Sequence, residues 1–143
     1  MSALRSDVTL EVLRTRGAGF LPGLLGVEVL AVEPGRVLGR MPVEGRHMAP
    51  NGYLHAASVV ALADTCCGYG TIAHLPEGAL SFTTIELKSN FLGTVREGAI
   101  ACAARAEHLG RSTQIWDALV SDEADGRRIA LFRCTQLILW PRG

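Results

Sequence analysis

Between Leu54 and Ala73 the chain reads LHAASVVALADTCCGYGTIA, and besides His55 the only acid or base in it is Asp64. A carboxylate in so apolar a run is unfavourable unless a partner or a reaction uses it. It can serve as a structural hydrogen-bond acceptor, as a general base toward water, or as a nucleophile on an acyl carbon. His55, nine residues earlier, falls where a helix would begin, so it can be a cap, a packed side chain or a direct participant in the chemistry. Attack on a carbonyl also needs a stabiliser for the developing oxyanion, and the unpaired N–H groups of residues 55–57 at the helix start supply one without any charged side chain. Asp64 then lies roughly 13 Å further along the axis at 1.5 Å per residue. One helix is not expected to bring both groups to one carbon, so a second subunit should provide one of them.

Other reactive side chains form no constellation. Cys66, Cys67, Cys102 and Cys134 make no C-x-x-C pair and no ligand cluster with the four histidines, so no metal site is expected. They read as small buried apolar residues, with adjacent Cys66 and Cys67 pointing about 100° apart on a helix. Asn51 fits the turn before Gly52, and Thr83 and Thr84 fit a strand.

The elements that must position Asp64 follow from pattern. At 143 residues the chain is the size of one domain, without linker, repeat or low-complexity tract. Residues 3–16 predict a short helix ending before Gly17. Val27 to Val32 and Val37 to Val43 predict a hairpin turned by EPGR, and EGRHMAPNG is a polar loop. The long apolar helix follows, broken by LPEGAL, and then strands over 81–92, 98–108, 113–121 and 128–139, with Asp125-Gly126 as the last tight turn. Runs of strands around one helix predict an α+β fold with an antiparallel sheet curved over that helix, which is apolar on nearly every side. A membrane span is long enough but is set aside, since Asp64, His55, Ser58, Gly68 and Gly70 interrupt it. Lys plus Arg and Asp plus Glu balance at 14 each, leaving no polybasic footprint for nucleic acid or an anionic membrane. Arg5, Asp7, Glu11, Arg14 and Arg16 occupy what would be an apolar signal core, so a cytoplasmic protein is expected.

NGYLHAASVVALAD, FTTIELKSNFLGTVREG and HLGRSTQIWDALVSDEADGRRIALFRCTQLIL occur in that order. Together, over about residues 22–139, they resemble hotdog-fold acyl-CoA thioesterases of the phenylacetate-degradation and 4-hydroxybenzoyl-CoA type. The resemblance implies a hotdog fold, hydrolysis of an acyl-CoA or aryl-CoA thioester without a cofactor, and homodimers with interfacial active sites that assemble into tetramers. Asp64 falls on the family's acidic catalytic residue, His55 on its histidine, and Ala56 on the glycine whose N–H polarises the thioester oxygen. Thr84 falls near a hydroxyl residue that in some members helps to hold the attacking water.

Some positions depart from the family. Its water-positioning asparagine lies three residues before the glycine, where this chain has Ala49, so Asn51 is the substitute candidate beside Gly52. Ala56-Ala57 stands for the usual Gly-Gly, which keeps the N–H and tightens the pocket. Gly93-Thr94 stands where proline is common. For the phosphates of coenzyme A the resemblance points to the Gly110–Thr113 loop, with Arg111 as a bidentate grip and Ser112 and Thr113 as hydroxyls; the plain alternative is an ordinary strand connection. Two other functions stay open: a hotdog hydratase or dehydratase, although the proline-rich histidine loop is absent, and a non-enzymatic acyl-CoA-binding module.

Overall fold

The computed structural model describes residues 3–143. In chain order it contains α1 (Leu10–Arg16), α2 (Leu21–Leu25), β1 (Glu28–Glu33), β2 (Arg36–Pro42), a 3-10 turn at Gly45–His47, α3 (Ala56–Ala73), β3 (Ser81–Phe91), β4 (Ala99–Leu109), β5 (Thr113–Asp122) and β6 (Arg128–Leu139). The six strands form one sheet in the order β1-β2-β4-β5-β6-β3, antiparallel at every pairing. The α+β expectation holds, and α3 touches all six strands of the sheet that curves around it.

Alternation on the strands explains the core. On β5, Gln114, Trp116, Ala118 and Val120 are buried and face the helix, while Thr113, Ile115, Asp117 and Leu119 are not buried. From α3, Leu62, Ala63, Cys66, Cys67 and Ala73 are completely buried against that surface. Cys66 and Cys67 diverge as expected of helical neighbours, Cys66 lying beside Cys102 on β4 and Cys67 beside Cys134 on β6. All four thiols are free. Gly70 is required by packing, since a Cβ there would come within 2.5 Å of the Trp116 ring.

A buried histidine fixes the far end of α3. His74 Nδ1 lies 2.7 Å from Gly70 O, and Nε2 accepts from Gly35 N at 2.8 Å. Accepting at Nε2 makes the ring neutral with its hydrogen on Nδ1, and burial holds its pKa below the usual histidine value. Gln114 Nε2 donates to His74 O at 2.9 Å and receives Trp116 Nε1–H on its oxygen at 3.0 Å. This network ties α3 to the β1–β2 turn and to β5.

Two N-terminal expectations need correction. The helix predicted over 3–16 starts only at Leu10, because extended Thr9 caps it by accepting from Val12 N at 3.2 Å. The residues before it are held otherwise, with Arg5 N donating to Ala73 O at 2.9 Å and Arg5 pairing with Asp7 at 3.0 Å. The one-turn α2 was not expected; it begins with Pro22 in its first turn and ends on left-handed Gly26.

Strand β3 lies at the sheet edge and is bulged, its register against β6 shifting between Thr84 and Glu86. Before the bulge Phe82 and Thr84 pair with inward Ile138 and Gln136; after it Leu87 and Ser89 pair with inward Cys134 and Phe132. Leu87 and Phe91 are nevertheless 42% and 46% exposed, because nothing among the described residues covers that end of the strand.

Candidate active site

The loop that delivers α3 is built on a second buried histidine. His47 Nδ1 accepts from Glu44 N at 2.9 Å and Nε2 meets Leu25 O at 2.8 Å, while its carbonyl receives His55 N at 3.0 Å and Ser58 Oγ at 2.8 Å. These bonds fix where the helix starts. His55 is extended and caps α3, its Nδ1 accepting from Ala57 N at 2.9 Å. The Ala56 N–H, one residue before, donates to no group among the described residues. Ala56 also lines a cavity of about 400 Å³ together with Tyr53, Leu54, Val59, Phe91, Gly93 and Thr94. That N–H stands at the positive end of an 18-residue helix, on a residue that borders the cavity.

Asn51 and Gly52 form the tight turn before this entrance. Asn51 Oδ1 accepts from Tyr53 N at 3.2 Å, Gly52 N donates to Ala49 O at 3.0 Å, and Gly52 adopts φ +84°, where a side chain would be strained. Both residues are exposed. The turn is braced by Arg96, whose Nε reaches Gly52 O at 3.3 Å and whose guanidinium lies 4.9 Å from the centre of the Tyr53 ring. Thr94, at the departure from the usual proline, accepts the Leu54 N–H on its Oγ1 at 2.9 Å.

Asp64 sits about 12 Å further along α3 at 1.5 Å per residue. It is partly buried, and burial lifts its carboxyl above the ordinary aspartate value, an effect that the Thr84 hydroxyl at 3.3 Å partly offsets. Thr84 Oγ1 lies 2.7 Å from Gln136 Oε1 on β6. Arg111, Ser112 and Thr113 lie at the opposite end of α3. There Arg111 lines a cavity of about 530 Å³ with His74, Glu77 and Trp140. The Arg111 guanidinium stacks 4.2 Å from the centre of the Trp140 ring, and Trp140 Nε1 donates to Arg111 O at 3.2 Å. Ser112 O accepts from Ile138 N at 2.9 Å, and Thr113 O from Gly110 N at 2.9 Å.

The candidates therefore occupy three stations on one protomer: His55, Ala56, Asn51 and Gly52 at the head of α3, Asp64 and Thr84 at its middle, and Arg111, Ser112 and Thr113 at its foot. Sequence reading passed over His47, Arg96 and Gln136. A glutamine in the inward series of β6 was the available signal for the last. No group of His, Cys, Asp and Glu able to hold a metal ion occurs among the described residues.

Comparison with known proteins gives the family. The thioesterase superfamily model matches residues 51–129, more than half of the chain. A 1,4-dihydroxy-2-naphthoyl-CoA hydrolase of Listeria monocytogenes is 30% identical over 78% of this chain and 89% of its own length. The proofreading thioesterase EntH of Klebsiella pneumoniae is 31% identical over 96% and 98%. The crystal structure of a mutant of thioesterase PA1618 from Pseudomonas aeruginosa superimposes with a TM-score of 0.90 at 30% identity, covering 96% of this chain and 99% of that one. Agreement in sequence and in fold over nearly the full length leaves one assignment: the chain belongs to the thioesterase superfamily, as a hotdog-fold thioester hydrolase.

Proposed function

We propose that this protein hydrolyses an acyl-CoA or aryl-CoA thioester to the free acid and coenzyme A, with the Ala56 N–H polarising the carbonyl and Asp64 as general base. The observation that carries the reading is the Ala56 N–H, unpaired at the head of α3 on a residue that lines an apolar cavity. Asp64 removes a proton from water, whose oxygen bonds to the thioester carbon while the carbonyl oxygen gains charge beside the Ala56 N–H. The intermediate then breaks its C–S bond, and the proton returns to the coenzyme A thiolate. The burial that lifts Asp64 makes it the stronger base toward water.

Asp64 and Ala56 of one chain stand too far apart for one carbon, so the reacting pair comes from two subunits. Edge strand β3 supports a homodimer: it is 11 residues long and leaves Ile85, Leu87 and Phe91 exposed, an unsafe free edge unless it pairs with its copy. Pairs of such dimers form the expected tetramer. In this reading Asn51 and Gly52 shape the entrance, Thr84 helps to position water, His55 holds the helix start, and Arg111, Ser112 and Thr113 meet the phosphates. The relatives named for 1,4-dihydroxy-2-naphthoyl-CoA hydrolysis support an aryl-CoA in the panel that tests it.

Thiol release is measured from aliphatic, aryl and enoyl-CoA thioesters, together with sedimentation at micromolar concentration. Turnover of at least one saturated or aryl thioester by a dimer or larger species is expected. Hydration of an enoyl-CoA without thiol release would give the hydratase, and tight binding without any turnover a carrier module. A fully active monomer would refute the interfacial site.

A further inference from the structure

Gln136 is wholly buried on β6, between inward Cys134 and Ile138. A primary amide there has two donor hydrogens and a carbonyl oxygen to satisfy. Its side-chain partners are Thr84 Oγ1, across the strand pair at 2.7 Å, and Cys134 Sγ at 3.5 Å. Thr84 in turn lies 3.3 Å from Asp64 Oδ1. A threonine hydroxyl has a single hydrogen, so it cannot serve both the amide oxygen and an ionised carboxylate.

Two arrangements resolve the conflict. With the amide oxygen toward Thr84, the hydroxyl donates to Gln136, and Asp64 is satisfied only when protonated and donating to Thr84. Turning the amide over exchanges two atoms of nearly equal size. Nε2–H then donates to Thr84 Oγ1, the hydroxyl donates to ionised Asp64, and the amide oxygen receives the Cys134 S–H.

We propose that Gln136 is a positioning residue for Asp64: by turning its amide it makes the Thr84 hydroxyl a donor to the ionised carboxylate and an acceptor from the protonated one. As a statement about catalysis this rests on the base role given to Asp64 above. A general base alternates between those two forms in every turnover, and in both the amide oxygen, the amide nitrogen, the Thr84 hydroxyl and Asp64 each keep a partner. No other charged group takes that part. Glu86 and Lys88 on β3 are exposed and pair across the strand with Thr135 and Arg133, while Cys66 and Cys67 of α3 are buried beside Cys102 and Cys134. Burial and Thr84 account for the shift at Asp64, without a neighbouring charge.

The test is a ¹³C NMR titration of the aspartate carboxyls in the free protein, with Asp64 assigned by its disappearance in Asp64→Asn. Gln136→Met keeps the side-chain length and removes the amide. It is expected to move the Asp64 titration upward by about half a unit or more, because the Thr84 hydroxyl loses the N–H that directs its hydrogen onto the anion. Thr84→Val should move it further, and the double variant should match Thr84→Val, since Gln136 acts only through that hydroxyl. In turnover, Gln136→Met should lower kcat about 3- to 10-fold, hold KM within about twofold, and raise the acidic limb of the pH profile in step with the NMR. An unmoved titration in folded Gln136→Met, or additive shifts in the double variant, overturns the proposal. Should that variant not fold, Gln136→Glu replaces it; the ionised carboxylate it introduces would compete for the Thr84 hydrogen, and the same upward shift is required. The titration needs no substrate, so a shift in a protein that releases no thiol would keep the relay and refute the hydrolase reading alone.

Discussion

Replacing Asp64 by Asn separates chemistry from stability. Asparagine keeps the volume and an oxygen that can accept from Thr84, so the packing around α3 survives. What disappears is the basic oxygen, and loss of a positioned general base lowers turnover by at least about 100-fold, close to 2.7 kcal/mol of barrier at 1.36 kcal/mol per decade. Stability should move the other way. Burial holds the folded carboxyl above the ordinary 3.8, so above that value the unfolded chain ionises more readily than the folded one. Wild type therefore carries a penalty at neutral pH that Asp64→Asn lacks. Below about 3.8 the carboxyl is protonated in both states and the penalty vanishes. Melting curves from pH 7 to 3.5 should show the variant at or above wild type at pH 7, with the gap closing on acidification, while single-turnover thiol release reports the loss of rate. Near-normal turnover in the folded variant would remove Asp64 from the mechanism; a lower melting temperature at pH 7 would make it a structural acceptor.

Arg111→Ala should raise KM for acyl-CoA severalfold and leave an acyl-pantetheine thioester unchanged, because a remote phosphate contact supplies uniform binding. Equal losses on both substrates would assign Arg111 to its stack on Trp140 instead. His74 predicts acid sensitivity: its folded pKa lies below 6.5, so as pH falls through 6.5 the unfolded chain takes the proton first and stability declines. That decline, read as urea midpoints from pH 7.5 to 5, should be shallower in His74→Gln. Gly70→Ala should lose about 1–2 kcal/mol, the overpacking against Trp116 exceeding the gain in helix propensity; an unchanged urea midpoint would refute that packing.

The longer elements were legible because one signal dominated each. The strands read over 81–92, 98–108, 113–121 and 128–139 match β3 to β6 to within one residue, and uninterrupted apolar residues marked α3 as a wrapped helix. Shorter elements were decided by local bonds that pattern does not carry: Thr9 captures the Val12 N–H and starts α1 late, while α2 is a single turn whose Phe20, Leu21 and Leu24 are exposed and so show no buried face. The Asp64 and Ala56 assignments could be framed from helix chemistry and family likeness. The Thr84–Gln136 contact could not, since it joins residues 52 positions apart through a pairing of β3 with the last strand. Asn51 could be read two ways, and in the structure its Oδ1 accepts from Tyr53 N.

The bulge at Ile85 divides β3 into halves of opposite parity. Even-numbered Phe82 and Thr84 face the helix before it, and odd-numbered Leu87 and Ser89 face the helix after it. Were Ile85 paired in regular alternation instead of bulged, the strand continued from Thr84 would turn Glu86 and Lys88 toward the core and Leu87 outward. The extra residue therefore acts as a frameshift in three dimensions, and deleting Ile85 would leave Glu86 opposite Thr135, where it already pairs. One added residue thus keeps Thr84 on the helix face in the first half of β3 and Leu87 and Ser89 on that same face in the second.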